Sequence, residues 1–299
     1  MCFEKNVDQV VGAVHAKTAY TTTGGTGRET ESSPAVYKGR HMFLGDSVKD
    51  QNFDWAEFEA LGSSPPSLEA AKALDAVSLL PGMPLSQSDA HSAYTQPLLG
   101  GARGGGTPTW VDIPRHRWPK SWEGKYQKPV VRLVLALYGH VDAGTYWEEH
   151  CTKKVLECGW EKVPNWPNTY HHPKKHAFLI VYVDDFKMAC KTVDAKELWR
   201  DLRSKIRLSD PEPPSRFLGC YQTRESMKVR DLVRYLENHP DLHPRGKVDA
   251  VKLRLENPEK EVEAYKYSME NYLSKCVDKY CEMAAFPRER MPAVATPFE

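Results

Sequence analysis

The most strongly patterned part of the chain is an apolar, β-branched run at 178–183, followed by two aspartates and a second mostly apolar stretch at 186–190. This order predicts a β-hairpin with Asp184 and Asp185 at its tip. A two-residue hairpin turn ordinarily takes Asn-Gly or Asp-Gly because its central residues need positive φ, and adjacent carboxylates also repel each other. A local rule broken in this way indicates a functional site, and paired carboxylates indicate a divalent cation.

Helical spacing of apolar residues predicts a first helix at 67–80, with Ser67 as its N-cap and Pro81-Gly82 after its end. Partial alternation at 84–94 predicts a strand that presents Asp89 near its end. Further helices are predicted at the ranges 143–158 (stopped by Gly159), 195–206 and 264–283. Helices interspersed with a few strands predict an α+β fold.

Composition limits the class of protein without identifying it. With 299 residues and 40% hydrophobic content, the chain is able to bury a sizeable core, and its net charge of +1 gives no overall attraction to polyanions. Arginine and lysine residues are nevertheless concentrated between 103 and 132, where tryptophans are interspersed among them. The segment therefore predicts a local surface for a nucleic-acid backbone, with Arg115, Arg117 and Lys120 as its contacts. The tryptophans are also expected to serve core packing.

Seven scattered cysteines, odd in number and without a CxxC pair, favour reduced thiols in an intracellular protein. No apolar stretch approaches the roughly 20 residues of a membrane helix, and the first residues lack the layout of a signal peptide. We therefore expect a protein that is neither secreted nor bound to a membrane. The glycine tract 100–106 lacks the Gly-Lys-Ser/Thr ending of a phosphate-binding loop and favours a flexible connection instead.

Asp89 and Asp184 are far apart in sequence, so only tertiary folding can bring their carboxylates to one side of a sheet. If it does, we expect them to bind metal. Two divalent ions roughly 3.5–4 Å apart activate an attacking hydroxyl and stabilise a leaving oxygen in an in-line displacement at phosphorus. Magnesium is favoured because substrate phosphates and water complete its octahedral coordination.

Six short motifs, in order along 36–299, carry a resemblance to a known family. Tyr182-Val183-Asp184-Asp185 resembles the YxDD hairpin of reverse transcriptases, and its surroundings resemble the copia-type retrotransposon branch. The other five motifs are Tyr37-Lys38-Gly39-Arg40, Asp89 with Tyr94 five residues later, Leu137-Tyr138-Gly139 with Ala143 and Trp147, Phe217-Leu218-Gly219, and Thr296-Pro297.

The resemblance implies an RNA-directed DNA polymerase that transfers nucleotides from dNTPs to a primer 3′-hydroxyl on an RNA or DNA template. Its implied fold is a right-hand polymerase palm, an antiparallel sheet with helices on one face, with fingers and a small helical thumb. The implied organisation is a flexible leader at 1–35, fingers at 36–84, palm at 85–96, a fingers insertion at 97–141, palm at 142–223, a charged insertion at 224–263 and a partial thumb at 264–299.

The resemblance also assigns roles to residues. Asp89 and Asp184 would bind two Mg²⁺ ions, for which Mn²⁺ is a possible substitute, with the Ala90 carbonyl assisting and Asp185 in support. The nucleotide would contact Lys38, Arg40, Tyr94, Tyr138 and Gly139, and the primer end would contact Phe217, Leu218 and Gly219. The implied location is the cytoplasm, within a virus-like particle, or the nucleus.

Departures from the family pattern leave alternatives open. Val141 and Asp142 stand where copia-type enzymes usually carry Lys-Gln, the insertion at 224–263 has no counterpart, and no RNase H, integrase or protease region is recognisable. A catalytically inactive or domesticated remnant that binds nucleic acid is therefore the alternative. A metal-dependent phosphohydrolase is a third hypothesis for the function, although the sequence shows no clear water-activating base.

Other clusters of residues favour structural roles. His171, His172 and His176, with Cys151 and Cys158 nearby, invite a zinc site, but their spacing fits no common one and favours a polar loop. Tyr265, Tyr272 and Tyr280 at helical spacing favour a core or a helix seam over a platform for base stacking.

Overall fold

A computed structural model describes much of the chain between residues 13 and 291. The described residues are 13–15, 18–20, 39–45, 48, 65–100, 108–214, 216–217, 220–238 and 257–291. Within them the fold is α+β, as predicted, with sheets that are antiparallel except for one parallel pair of short strands.

Thirteen strands and five α-helices are formed by the described residues. The strands are β1 Ala13–His15, β2 Thr18–Tyr20, β3 Gly39–His41, β4 Leu85–Asp89, β5 Trp110–Asp112, β6 Val130–Arg132, β7 Glu161–Lys162, β8 Thr169–His172, β9 Ala177–Tyr182, β10 Asp185–Ala189, β11 Arg216–Phe217, β12 Cys220–Lys228 and β13 Glu261–Ser268. The helices are α1 Leu68–Ser78, α2 Ala143–Glu157, α3 Thr192–Lys205, α4 Val229–Asn238 and α5 Glu270–Met283.

The central sheet has five strands in the order β4-β10-β9-β8-β7, all antiparallel. A second sheet is formed by β11-β12-β13, a third by β1-β5-β6, in which β1 and β5 are parallel, and β2 pairs with β3. The strands β1 and β2 lie within the stretch 1–35 that the sequence analysis assigned to a flexible leader.

Helices cover both faces of the central sheet, whereas the palm prediction placed them on one. The helices α2 and α3 pack against Leu179, Val181, Phe186 and Met188 on one face. The helix α1 packs against the opposite face, in a cluster that also includes Phe217. The side chains of β9 and β10 are therefore enclosed on both sides, which explains why these strands are almost continuously apolar.

The helices α1 and α2 confirm the sequence prediction. Ser67 caps α1, its side chain accepting a hydrogen bond of 3.1 Å from the backbone N–H of Ala70. Gly159, just after the end of α2, has a φ of +85°, the conformation that glycine adopts most easily. The helix α3 begins at Thr192, three residues before its predicted start at 195.

The predicted helix at 264–283 is wrong over its first six residues. The segment Glu261–Ser268 is strand β13 and pairs antiparallel along its full length with β12, and the helix begins only at Glu270. Val262, Tyr265 and Tyr267 suit a strand, and pairing with a distant partner decides the local structure. Within the charged insertion predicted at 224–263, residues 224–228 therefore belong to β12, residues 229–238 to α4 and residues 261–263 to β13.

Candidate metal centre

Three carboxylates from two distant segments meet at one edge of the central sheet. The strand β4 ends at Asp89, β10 begins at Asp185, and these two residues are directly paired across the antiparallel ladder. Directly paired residues place their side chains on the same face of a sheet. Asp184 precedes Asp185 by one residue, and carboxylate oxygens of all three aspartates lie within 4.8 Å of one another.

The turn of the hairpin is Val183-Asp184, one residue earlier than predicted, since Tyr182 pairs with Asp185. Val183 has a φ of +55°, an uncommon conformation for a β-branched residue. The prediction placed both aspartates in the turn because they separate two apolar runs. In the structure, Asp185 opens the strand opposite Asp89. Backbone strain of this kind persists where the surrounding structure determines the conformation, and it is concentrated at functional sites.

Both carbonyl groups of the turn are held by hydrogen bonds. The indole Nε1 of Trp147, on α2, donates to the Val183 carbonyl oxygen at 2.5 Å. The backbone N–H of Ala90 donates to the Asp184 carbonyl oxygen at 2.7 Å. These two bonds fix the turn to α2 on one side and to the end of β4 on the other.

Asp89 is fixed through its backbone by Ser209, a residue that the sequence analysis missed. The Asp89 N–H donates to Ser209 Oγ at 2.9 Å, and the Ser209 N–H donates to the Asp89 carbonyl oxygen at 2.8 Å. Nothing in the sequence around Ser209 indicates this role, because it depends on a contact between segments 120 residues apart.

Repulsion among three nearby carboxylates is the main electrostatic feature of the cluster. None of the three is buried, so water screens part of that repulsion. Close carboxylates are stabilised by a bound cation or by a shared proton. A set of hard oxygen donors fits Mg²⁺ or Mn²⁺ and does not fit a thiophilic metal.

Tyr94, which the resemblance assigned to the nucleotide site, lies close enough to Asp184 to be affected by its charge. Burial raises the pKa of its phenol, and the nearby Asp184 carboxylate raises that pKa further. Its ring meets the ring of Tyr138 edge to face, with centroids 5.1 Å apart. A pocket of about 200 Å³ is lined by residues that include Tyr94, Trp147, Tyr182 and Val183.

The loop that carries Tyr138 approaches residues 42–45 closely. The Phe43 N–H donates to the Tyr138 carbonyl oxygen at 2.7 Å. Gly139 has a φ of +88°, and a Cβ atom there would lie 2.0 Å from the Phe43 carbonyl oxygen. Glycine is therefore required at this position. Arg40 is in β3, just before this segment, and is described only by its backbone, while Lys38 lies outside the described residues.

The predicted primer-contact motif is described in part. Phe217 ends β11 and is buried, and its ring centroid lies 6.5 Å from that of Tyr182 on the β9–β10 hairpin. It pairs with Cys220, while Leu218 and Gly219 lie outside the described residues. Thr296-Pro297 lies outside them as well.

The three predicted backbone contacts, Arg115, Arg117 and Lys120, are all exposed. They lie on two short 3₁₀ turns, and the guanidinium of Arg115 lies over the Trp118 ring at 5.9 Å. Trp122, in contrast, packs against a small apolar core, in agreement with the expectation that some tryptophans of this segment serve packing.

The histidines do not form a metal site with the nearby cysteines. His171 and His172 are neighbours on β8, and the buried His172 packs edge to face against Trp160 at 5.3 Å. Among the described residues, the only group of three or more potential metal ligands is Asp89, Asp184 and Asp185. The six cysteines in the described part of the chain are free.

The described residues contain no helix that is long and apolar enough to cross a membrane. Comparison with known proteins finds no family model that matches the sequence. A search of curated proteins finds no match either.

Proposed function

We propose that the chain is a nucleotidyltransferase, an RNA-directed DNA polymerase of the copia type. The observation that carries the proposal is the meeting of Asp89, Asp184 and Asp185, whose oxygen atoms lie within 4.8 Å of one another although Asp89 is distant in sequence. In this proposal the five-stranded antiparallel sheet is the palm of a right-hand polymerase, β3 and the loop at Tyr138 belong to the fingers, and α5 belongs to the thumb.

The three carboxylates, with the backbone carbonyl of Ala90, would hold two Mg²⁺ ions, and Mn²⁺ would substitute. Bound ions would lower the proton affinity of a primer 3′-hydroxyl and stabilise charge on the α-phosphate of a dNTP. Asp89 and Asp185 supply ligands from paired strands, which keeps their separation fixed. Asp184 supplies a ligand from a turn whose carbonyl groups are both hydrogen-bonded.

The rings of Tyr94 and Tyr138 pack edge to face, and Tyr94 lies near Asp184. This pair of rings is suited to contact with the sugar and base of a nucleotide. Gly139 allows the backbone to approach closely there. Lys38 and Arg40 would bind the triphosphate, and Phe217, Leu218 and Gly219 would contact the primer end. The exposed Arg115, Arg117 and Lys120 would bind template phosphates.

The alternative is an inactive remnant that retains a nucleic-acid groove. One observation favours it: Val141 is exposed and Asp142 precedes α2, where the family usually has a lysine and a glutamine. A carboxylate at this position offers no donor to a nucleotide, whereas glutamine does.

Primer extension tests the proposal. The wild type, Asp184→Asn and the surface variant Asp210→Asn are compared on an RNA template with a DNA primer, dNTPs and Mg²⁺. Asp210 is a matched control because it is an exposed carboxylate paired with Arg203. We expect extension by the wild type and by Asp210→Asn and none by Asp184→Asn. Folded wild type that binds the primer–template without extending it would support the remnant instead.

A further inference from the structure

Lys187 is a fully buried cation two residues after Asp185. It interrupts an apolar strand, between Phe186 and Met188, and its side chain is on the face of the sheet that packs against α1. Its ammonium Nζ lies 2.5 Å from Asp75 Oδ1 on α1, and the side chains of this pair are 0% and 3% exposed. A buried lysine in a strand requires such a partner.

The ion pair is part of a network of side chains from four elements. Lys187 Nζ donates to Gln222 Oε1 on β12 at 2.7 Å, and Gln222 Nε2 donates to Asp75 Oδ2 at 3.2 Å. The phenol of Tyr267 on β13 also donates to Asp75 Oδ2, at 2.5 Å. The network therefore joins the strand of the catalytic hairpin, helix α1 and the second sheet.

The same ammonium lies 4.7 Å from the centroid of the Phe217 ring. The contact between α1, the central sheet and Phe217 also includes apolar side chains such as Leu74, Ile180 and Leu85. Ser78 Oγ on α1 lies 3.1 Å from the Tyr265 hydroxyl on β13. Apolar contacts have no preferred direction, whereas hydrogen bonds and ion pairs do. A buried ion pair often adds little stability compared with an apolar pair of similar volume, but in some proteins it fixes one arrangement of elements among several.

We propose that Lys187 is a positioning residue that holds β11 and β12 in register with the hairpin of Asp184 and Asp185. This inference rests on the proposed function, because it assigns Phe217, at the end of β11, to the primer end. Two parts of one polymerase site would then be fixed to each other by the buried network around Lys187. A displaced β11–β12 pair would misplace the primer and leave the carboxylates unchanged.

The test compares Lys187→Met, the double variant Lys187→Met/Asp75→Leu and the control Lys175→Met. Lys175 is a matched control because it also pairs with carboxylates, Asp194 and Glu197, but on the surface. The single variant leaves Asp75 buried without its cation and is expected to be less stable. The double variant removes both charges and is expected to recover part of the stability lost in Lys187→Met, because Gln222 and the Tyr267 phenol still lose their partner Asp75.

Kinetics separate positioning from stability. For the double variant we expect a KM for primer–template about tenfold above that of the wild type, while kcat stays within about twofold. Lys175→Met should match the wild type in both. Recovery of stability together with a normal KM in the double variant would show that the network is only structural and would overturn the proposal.

Hydrogen exchange gives a readout that does not depend on activity. We expect amides of 220–228 to exchange at least about tenfold faster in the double variant, while those of β9 and β10 keep their wild-type protection. Unchanged exchange in 220–228 would overturn the positioning role. If the wild type itself fails to extend a primer, the proposed function fails, and the exchange result still decides whether Lys187 couples the two sheets.

Discussion

The indole nitrogen of Trp147 lies 2.5 Å from the carbonyl oxygen of Val183, the residue with positive φ in the hairpin turn. Trp147 is itself buried within the core between α2 and the sheet. A strained backbone is retained only when neighbouring groups compensate for it. This hydrogen bond connects the hydrophobic core to the turn that presents Asp184.

Trp147→Phe is expected to weaken divalent-metal binding because it leaves the Val183 carbonyl without its donor. The loss should lower the free energy of unfolding by about 1–3 kcal/mol. It should also weaken Mn²⁺ affinity about tenfold, as loss of supporting partners around metal ligands does. Chemical denaturation and Mn²⁺ titration measure the two effects.

Trp118→Phe is the matched control for this prediction. Its indole also donates to a backbone carbonyl, that of Ile113 at 2.7 Å, but in the basic segment and not at the hairpin. The Mn²⁺ affinity of Trp118→Phe should equal that of the wild type. Equal Mn²⁺ affinity in both variants would show that the Trp147 bond does not support the site.

Gly139→Ala is expected to destabilise the protein strongly. Alanine would have to adopt a φ of +88° and place its Cβ 2.0 Å from the Phe43 carbonyl oxygen. We expect a loss of about 3 kcal/mol or more in the free energy of unfolding. Gly82→Ala is the control, since Gly82 has a φ of +75° with no atom within 4 Å of its added Cβ. The free energy of unfolding of Gly82→Ala should fall by only about 1–2 kcal/mol. A similar loss in both variants would contradict the close approach of Gly139 to Phe43.

Stability is expected to fall as pH drops below 7. Burial lowers the pKa of His140, His150 and His172 below their ordinary value of 6.5. The unfolded chain therefore takes up protons between that value and the lower folded pKa, while the folded protein does not. The stabilisation is complete above the unfolded pKa and is lost as pH falls through this window.

Denaturant unfolding at pH 7.5 and pH 5.5 measures this dependence. His140→Asn keeps an acceptor for the Asp142 N–H, which His140 Nδ1 accepts at 3.2 Å, but does not titrate in this range. It should reduce the loss of stability on acidification. The exposed His116→Asn should leave that loss unchanged. A loss that is the same in the wild type and His140→Asn would contradict the assignment.

Local sequence signals predicted the elements that have strong caps and periodicity. The helices α1 and α2 follow from Ser67 and Gly159 and from apolar spacing, and β9 and β10 follow from a β-branched run. The meeting of Asp89 with the hairpin was expected only as a consequence of tertiary folding, and the register that pairs Asp89 with Asp185 depends on strands about 100 residues apart.

The two wrong predictions, of the hairpin turn and of residues 264–268, arise because pairing between distant strands decides the local structure. The turn was misplaced by one residue because the apolar runs stop at Val183 and resume at Phe186, whereas backbone pairing of Asp185 with Tyr182 and Asp89 decides where β10 begins. Residues 264–268 were assigned to a helix because apolar spacing continued into α5, although pairing with β12 makes them a strand. Lys187 stands out in sequence as a charge within an apolar run, but its partners, Asp75 and Gln222, belong to segments that only the fold brings together.

Direct counting of bound Mn²⁺ by electron paramagnetic resonance, with a dNTP present, tests the central claim that Asp89, Asp184 and Asp185 form one metal centre. We expect two ions per wild-type chain and the same number for the surface control Asp210→Asn. Asp89→Asn and Asp184→Asn should each lose at least one ion, because each removes a ligand from the cluster. Identical Mn²⁺ binding by the wild type and by Asp184→Asn would contradict the account.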